Sequence, residues 1–156
     1  MTTNPNTPRS INAMSPNIPL KETIEVEFKS DRDALNDNDL IEALICLANA
    51  QGGSLYLGVE DDGTVTGLHE SRPADISGLA ALVVNRTAPS LYVHVETLLC
   101  TNMRVAAIRV DRSPEIVARS DGLVKRRRMN AHGQPECVPF LPHEYASRRA
   151  DFQLLD

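Results

Sequence analysis

Two periodicities meet at one glycine pair in NDNDLIEALICLANAQGGSLYLGV, residues 36–59. Before the pair, Leu40, Ile41, Leu44, Ile45 and Ala48 recur three and four residues apart, the spacing that lines one side of a helix. Asp37 or Asn38 suits its N-cap, and Gly52 suits the left-handed position where a helix stops. After the pair, Ser54 to Val59 is a short apolar run of strand length. Upstream, Thr23 to Lys29 alternates, with Ile24, Val26 and Phe28 on one face and Glu25, Glu27 and Lys29 on the other. Downstream, EDDGTVTG reads as a tight turn, with Gly63 at positive φ, into a short returning strand. The unit is strand, helix, strand, hairpin.

The remaining chain adds fewer certainties. ADISGLAALVVNRTA predicts a second helix, and Tyr92 to Leu99 with Met103 to Val110 predicts a hairpin closed by Cys100, Thr101 and Asn102. A further strand is expected in Leu123 to Arg128. Pro142 fits the first turn of a last helix, PHEYASRRADF, where a missing N–H costs nothing. Residues 1–20, with four prolines and four asparagines, read as a flexible tail, residues 21–141 as one domain, and residues 142–156 as a helical extension. The expected fold is α+β, a mixed β-sheet of five to six strands flanked by two or three helices.

At 156 residues and 42% apolar content the chain has material for one globular core. Its longest apolar runs, Ala43 to Ala48 and Leu79 to Val84, are too short to span a bilayer, and residues 1–20 lack the apolar centre of a signal peptide. The expectation is a cytoplasmic protein without a membrane partner. Cys46, Cys100 and Cys137 are odd in number and far apart, which favours reduced thiols. A net charge of −5 argues against indiscriminate polyanion binding, but the charge is divided. Residues 21–66 hold three basic and eleven acidic side chains, whereas residues 112–149 hold eight basic and four acidic.

ETIEVEFK, then ANAQGG, then LYLGVEDDGTVTG, in that order and spacing, resemble the Schlafen-type AlbA-like domain. That family, formerly grouped as divergent AAA-type, carries E-(S/T)-x-x-x-E-F-K, A-N-x-x-G-G and G-V-D-D-x-G-x-(I/V)-x-G. The likeness covers residues 20–67, with a weaker echo through LVKRRRMNAHGQPECVPFLPHEY. It implies a nucleic-acid-binding domain, of DNA or RNA, found at the N-terminus of transcriptional regulators. In the family's nuclease branch it implies a metal-dependent endoribonuclease, with Glu22, Glu27 and Glu60 as the matching carboxylates and Mg²⁺ or Mn²⁺ as the ion. Asp61 is a further candidate ligand, because Glu60 stands where the family has aspartate. Carboxylates suit a hard cation that polarises phosphate. The five-residue spacing of Glu22 and Glu27 nevertheless sends them to opposite faces unless the chain bends before Thr23.

Lys125, Arg126, Arg127 and Arg128 are the expected phosphate contacts, extended by Arg148 and Arg149 on the last helix, since guanidinium groups pair bidentately with phosphate oxygens. The bland alternatives are a solvated basic edge strand and an acidic turn. No cofactor is otherwise called for: a phosphate loop needs G-x-x-x-x-G-K-(S/T), and Lys29-Ser30, the chain's sole Lys-Ser pair, has no glycines before it, so no ATP site is expected in this segment. His132, Cys137 and His143 offer three zinc-type ligands at an uncommon spacing. A homo-oligomer is left open.

Overall fold

The computed structural model describes residues 18–155. Most of the tail expected over residues 1–20 lies outside them. The order is β1 (Val26–Lys29), α1 (Asp37–Ala48), β2 (Gly52–Leu57), α2 (Gly78–Asn85), β3 (Thr87–Ala88), β4 (His94–Cys100), β5 (Met103–Asp111), β6 (Ala118–Arg119), β7 (Lys125–Met129), β8 (Pro135–Pro139) and α3 (Pro142–Leu155). The fold is α+β, as expected. Its main sheet is mixed and has four strands, β1-β2-β5-β4, while β3-β6 and β7-β8 form separate two-stranded ribbons.

α1 forms for the reasons its sequence gives. Its apolar stripe is buried entirely, and the cap is Asn36, one residue before the expected pair: Asn36 Oδ1 accepts from Asp39 N–H at 2.9 Å. Asp37 and Asn38 occupy the first turn instead. Leu40, Ile41, Leu44, Ile45 and Leu47 pack with Leu55, Leu57, Ala106, Ile108 and Val110 of the sheet and Val83 of α2. Truncating one such leucine to alanine costs roughly 2–5 kcal/mol. A smaller cluster of Phe28, Val59 and Val105 covers the other side, with Val26, Tyr56 and Leu98.

β1 and β2 run parallel, joined through α1, and β2 to β5 to β4 run antiparallel. The crossing of β1 and β2 needs glycine: a Cβ at Gly53 would sit 2.2 Å from the Glu25 carbonyl oxygen. The β4–β5 turn places both Thr101 (φ 47) and Asn102 (φ 66) in the left-handed region, the geometry that suits a two-residue hairpin loop. The short strand expected after EDDGTVTG reduces to a single bridge, Val59 to Val65. β8 follows no sequence expectation, because prolines stand at both of its ends.

Cys46 of α1 and Cys137 of β8 form a disulfide across 91 residues, with Cα atoms 5.9 Å apart. This corrects the expectation of three reduced thiols and removes Cys137 from the zinc-type trio. Cys100 is free. Among the described residues no helix is long and apolar enough to cross a membrane.

Candidate functional site

The acidic motif is built by a reversal that strand parity does not foresee. Thr23 and Val26 exchange backbone hydrogen bonds at 3.1 and 3.2 Å, so the chain doubles back just before β1. Glu22 is thereby laid beside the strand it precedes. Phe28 N–H donates to Glu22 Oε1 and to Glu27 Oε1, each at 3.1 Å. The register Glu27 to Leu55 puts Glu27 on the α1 side of the sheet, where it is buried and not solvent-facing as alternation predicts.

Into this pair comes Arg127 of β7, only 3% exposed. Its Nη1 donates to Glu27 Oε2 at 3.0 Å, and its Nη2 lies 3.9 Å from Glu22 Oε1. Nε and Nη2 also donate to the Thr23 carbonyl at 3.1 and 2.8 Å, and Nη2 to the Val26 carbonyl at 2.6 Å. Burial, with a hydrogen bond to Glu27, pushes the Glu22 carboxyl up to about 8, against the lowering pull of Phe28 N–H and Arg127. Near neutral pH the Glu22 carboxyl therefore favours its protonated form beside Glu27 and Arg127.

Glu60 takes no part in this centre. Its Oε2 accepts from Thr66 Oγ1 at 2.5 Å beyond the end of β2. Asp61 is exposed and shares a cleft of about 440 Å³ with Lys21, Glu22, Gly133, Gln134 and Pro135. Among the described residues no three His, Cys, Asp or Glu side chains are grouped to hold a metal ion. Of the four candidate carboxylates, Glu22 and Glu27 are engaged by Phe28 N–H and Arg127, Glu60 is bonded to Thr66, and Asp61 faces the cleft that Glu22 also lines. Arg127 supplies the positive charge the acidic strand requires.

The basic run is similarly engaged. Lys125 Nζ pairs with Glu42 of α1 at 2.9 Å, Arg126 pairs with Glu144 of α3, and Arg128 Nε pairs with Glu136 of β8 at 2.8 Å. Arg126 holds the Glu144 carboxyl below its usual range. Arg148, 6% exposed, donates to the carbonyls of Ala48, Asn49 and Ser113 at 3.2, 3.1 and 2.7 Å. Burial pulls its guanidinium down to about 10, so it stays charged at neutral pH. The continuous phosphate-facing stripe expected from Lys125 to Arg149 is thereby narrowed. Arg127 and Arg148 face inward, whereas Arg128, 51% exposed at its side chain, and Arg149 face solvent.

Asn49 plays a part that sequence reasoning missed. Buried after α1, it donates to the Val117 and Lys125 carbonyls at 2.8 and 2.9 Å and accepts from Val117 N–H at 2.8 Å. The asparagine of ANAQGG is a clamp between helix and β7, and its place in the motif was the available signal.

The strand-helix-strand core that carries these residues lies within a known class of domain. The Schlafen, AlbA_2 family model matches residues 22–133, and the chain belongs to that family. The crystal structure of the DIP2311 protein from Corynebacterium diphtheriae is similar over 84% of this chain, at 25% identity and a TM-score of 0.62. This chain spans 28% of that one. No curated protein matches it.

Proposed function

We propose that this domain binds nucleic acid through the solvent-facing rim formed by β7, β8 and α3. Arg128 and Arg149 make the first phosphate contacts, with Arg126 and Lys125 drawn in from their surface pairs. Membership of the Schlafen AlbA_2 family carries this reading. The chemistry of the rim supports it: exposed ion pairs are worth about 0–1 kcal/mol, so a phosphate displaces Glu136 from Arg128 at small cost. Arg127 and Arg148 are excluded, because withdrawing either would strip buried carboxylate or carbonyl groups of their donors. Service as the nucleic-acid module of a larger regulator follows the same reading, since a longer protein carries a domain of this fold.

Binding of labelled duplex DNA, single-stranded DNA and structured RNA across a salt series tests the proposal. The logarithm of affinity should fall with the logarithm of salt, at a slope no steeper than roughly −2 to −4 for two to four phosphates. Arg149→Ala should flatten that slope by about 1, and Arg128→Ala by less because Glu136 is freed from it, without changing the fold. Binding that ignores salt, or variants that bind as the parent does, would overturn it. Structured RNA incubated with Mg²⁺ or Mn²⁺ is expected to remain intact, because Glu27 is tied to Arg127 and Glu60 to Thr66.

A further inference from the structure

β4 is the outer strand of the main sheet, and its far edge pairs with no strand among the described residues. Exposed edges are ordinarily blunted by proline, lysine, a bulge or shortness. β4 has seven unbroken residues with no proline, lysine or bulge, and Glu96 is its one acidic or basic residue besides His94. Beside it stand exposed apolar groups, Tyr92 at 76% and Leu99 at 55%. His94 pairs in register with Arg109 of β5, and a cleft of about 230 Å³ opens between Tyr92, Val93, His94, Arg109 and Asp111. Arg109 and Glu96 are exposed, and neither makes an ion pair among the described residues.

We propose that β4 of a second copy of this chain completes this edge, antiparallel, about a two-fold axis through Val95, giving one continuous eight-stranded sheet. A two-fold axis normal to a sheet preserves its faces, so only registers centred on a residue are open. Centring on His94 or on Glu96 sets that residue against its own copy. Centring on Thr97 sets Glu96 against Leu98 and His94 against Cys100, which matches no charges. Centring on Val95 alone sets His94 against Glu96, and does so twice. In the same register Tyr92 lies against Leu98 and Val93 against Thr97, which covers the exposed ring. Arg109, one strand inward from His94, supplies the permanent positive charge on the side facing the second copy's Glu96, whose carboxylate also accepts from the His94 ring. Cross-strand pairs of opposite charge and of aromatic with aliphatic groups are the favourable combinations on a sheet face.

Sedimentation equilibrium of the purified chain should give twice the monomer mass at micromolar concentration. Glu96→Lys should weaken the dimer roughly a hundredfold, because at two symmetric places an ammonium then faces Arg109 and His94 loses its carboxylate acceptor. Adding His94→Glu to that variant restores opposition and should restore the dimer. Both changes fall on exposed side chains, and circular dichroism reports whether each variant is folded. On a Cys100→Ser background, Val95→Cys should oxidise to a covalent dimer and Thr97→Cys should not, because direct cross-strand neighbours alone approach within disulfide reach. A monomeric parent overturns the dimer. A folded Glu96→Lys variant that still dimerises, a folded charge-swapped variant that does not, or cross-linking at Thr97→Cys overturns the register.

Discussion

Arg127 is where the two charge-segregated halves of the chain meet. Its guanidinium answers Glu27 in the interior, so removing it leaves a buried carboxylate without a cation. Arg127→Ala should cost about 3–5 kcal/mol in a urea titration, far more than the loss of exposed Arg128. Glu22 supplies a second test. Its carboxyl moves from an ordinary 4.5 to about 8 on folding, so the native state holds a proton that the unfolded chain releases. The stabilisation is complete below pH 4.5 and is lost as pH rises through about 8. Urea midpoints measured from pH 5 to 9 should therefore fall in the parent, and Glu22→Gln should remove that part of the slope. The acidic pair was legible as a motif, but its arrangement was not. Alternation assigns faces only while a strand continues, and the reversal between Thr23 and Val26 makes β1 begin four residues after the acidic pattern opens at Glu22.

At the level of elements, local pattern and long-range closure divide what could be read. α1 follows from its stripe, its glycine stop and its polar entry, and only the cap was misplaced. The hairpin β4–β5 follows from two apolar runs and a short link. β8 and the four-strand limit of the main sheet do not follow. β7 and β8 leave the sheet to form a ribbon held against α1, where β7 answers Glu42 and β8 answers Cys46. No spacing within the chain announces such pairings. Two measurements check these closures. Thiol titration in denaturant without reductant should find Cys100 alone reactive. Gly53→Ala should destabilise strongly, because its Cβ would overlap the Glu25 backbone, whereas Gly78→Ala, with nothing within 4 Å, should be neutral or stabilising by about 0.5 kcal/mol.

Across the whole molecule, the basic run is answered from both halves of the chain, by Glu27 and Glu42 of the acidic first half and by Glu136 and Glu144 of the second. Glu27, Glu42, Glu136 and Glu144 each receive one member of the run from Lys125 to Arg128. Family membership was readable from motifs near the N-terminus, because glycines and caps impose local demands that leave a pattern. The availability of the cations was not, because it depends on partners as many as 100 residues away. This engagement bears on how a polyanion would be received. Each phosphate that docks on Lys125, Arg126 or Arg128 evicts a resident carboxylate, which then gathers sodium or potassium from solution. Ion release from the nucleic acid is partly repaid by ion uptake on the protein, so the measured salt exponent will count fewer phosphates than the rim touches.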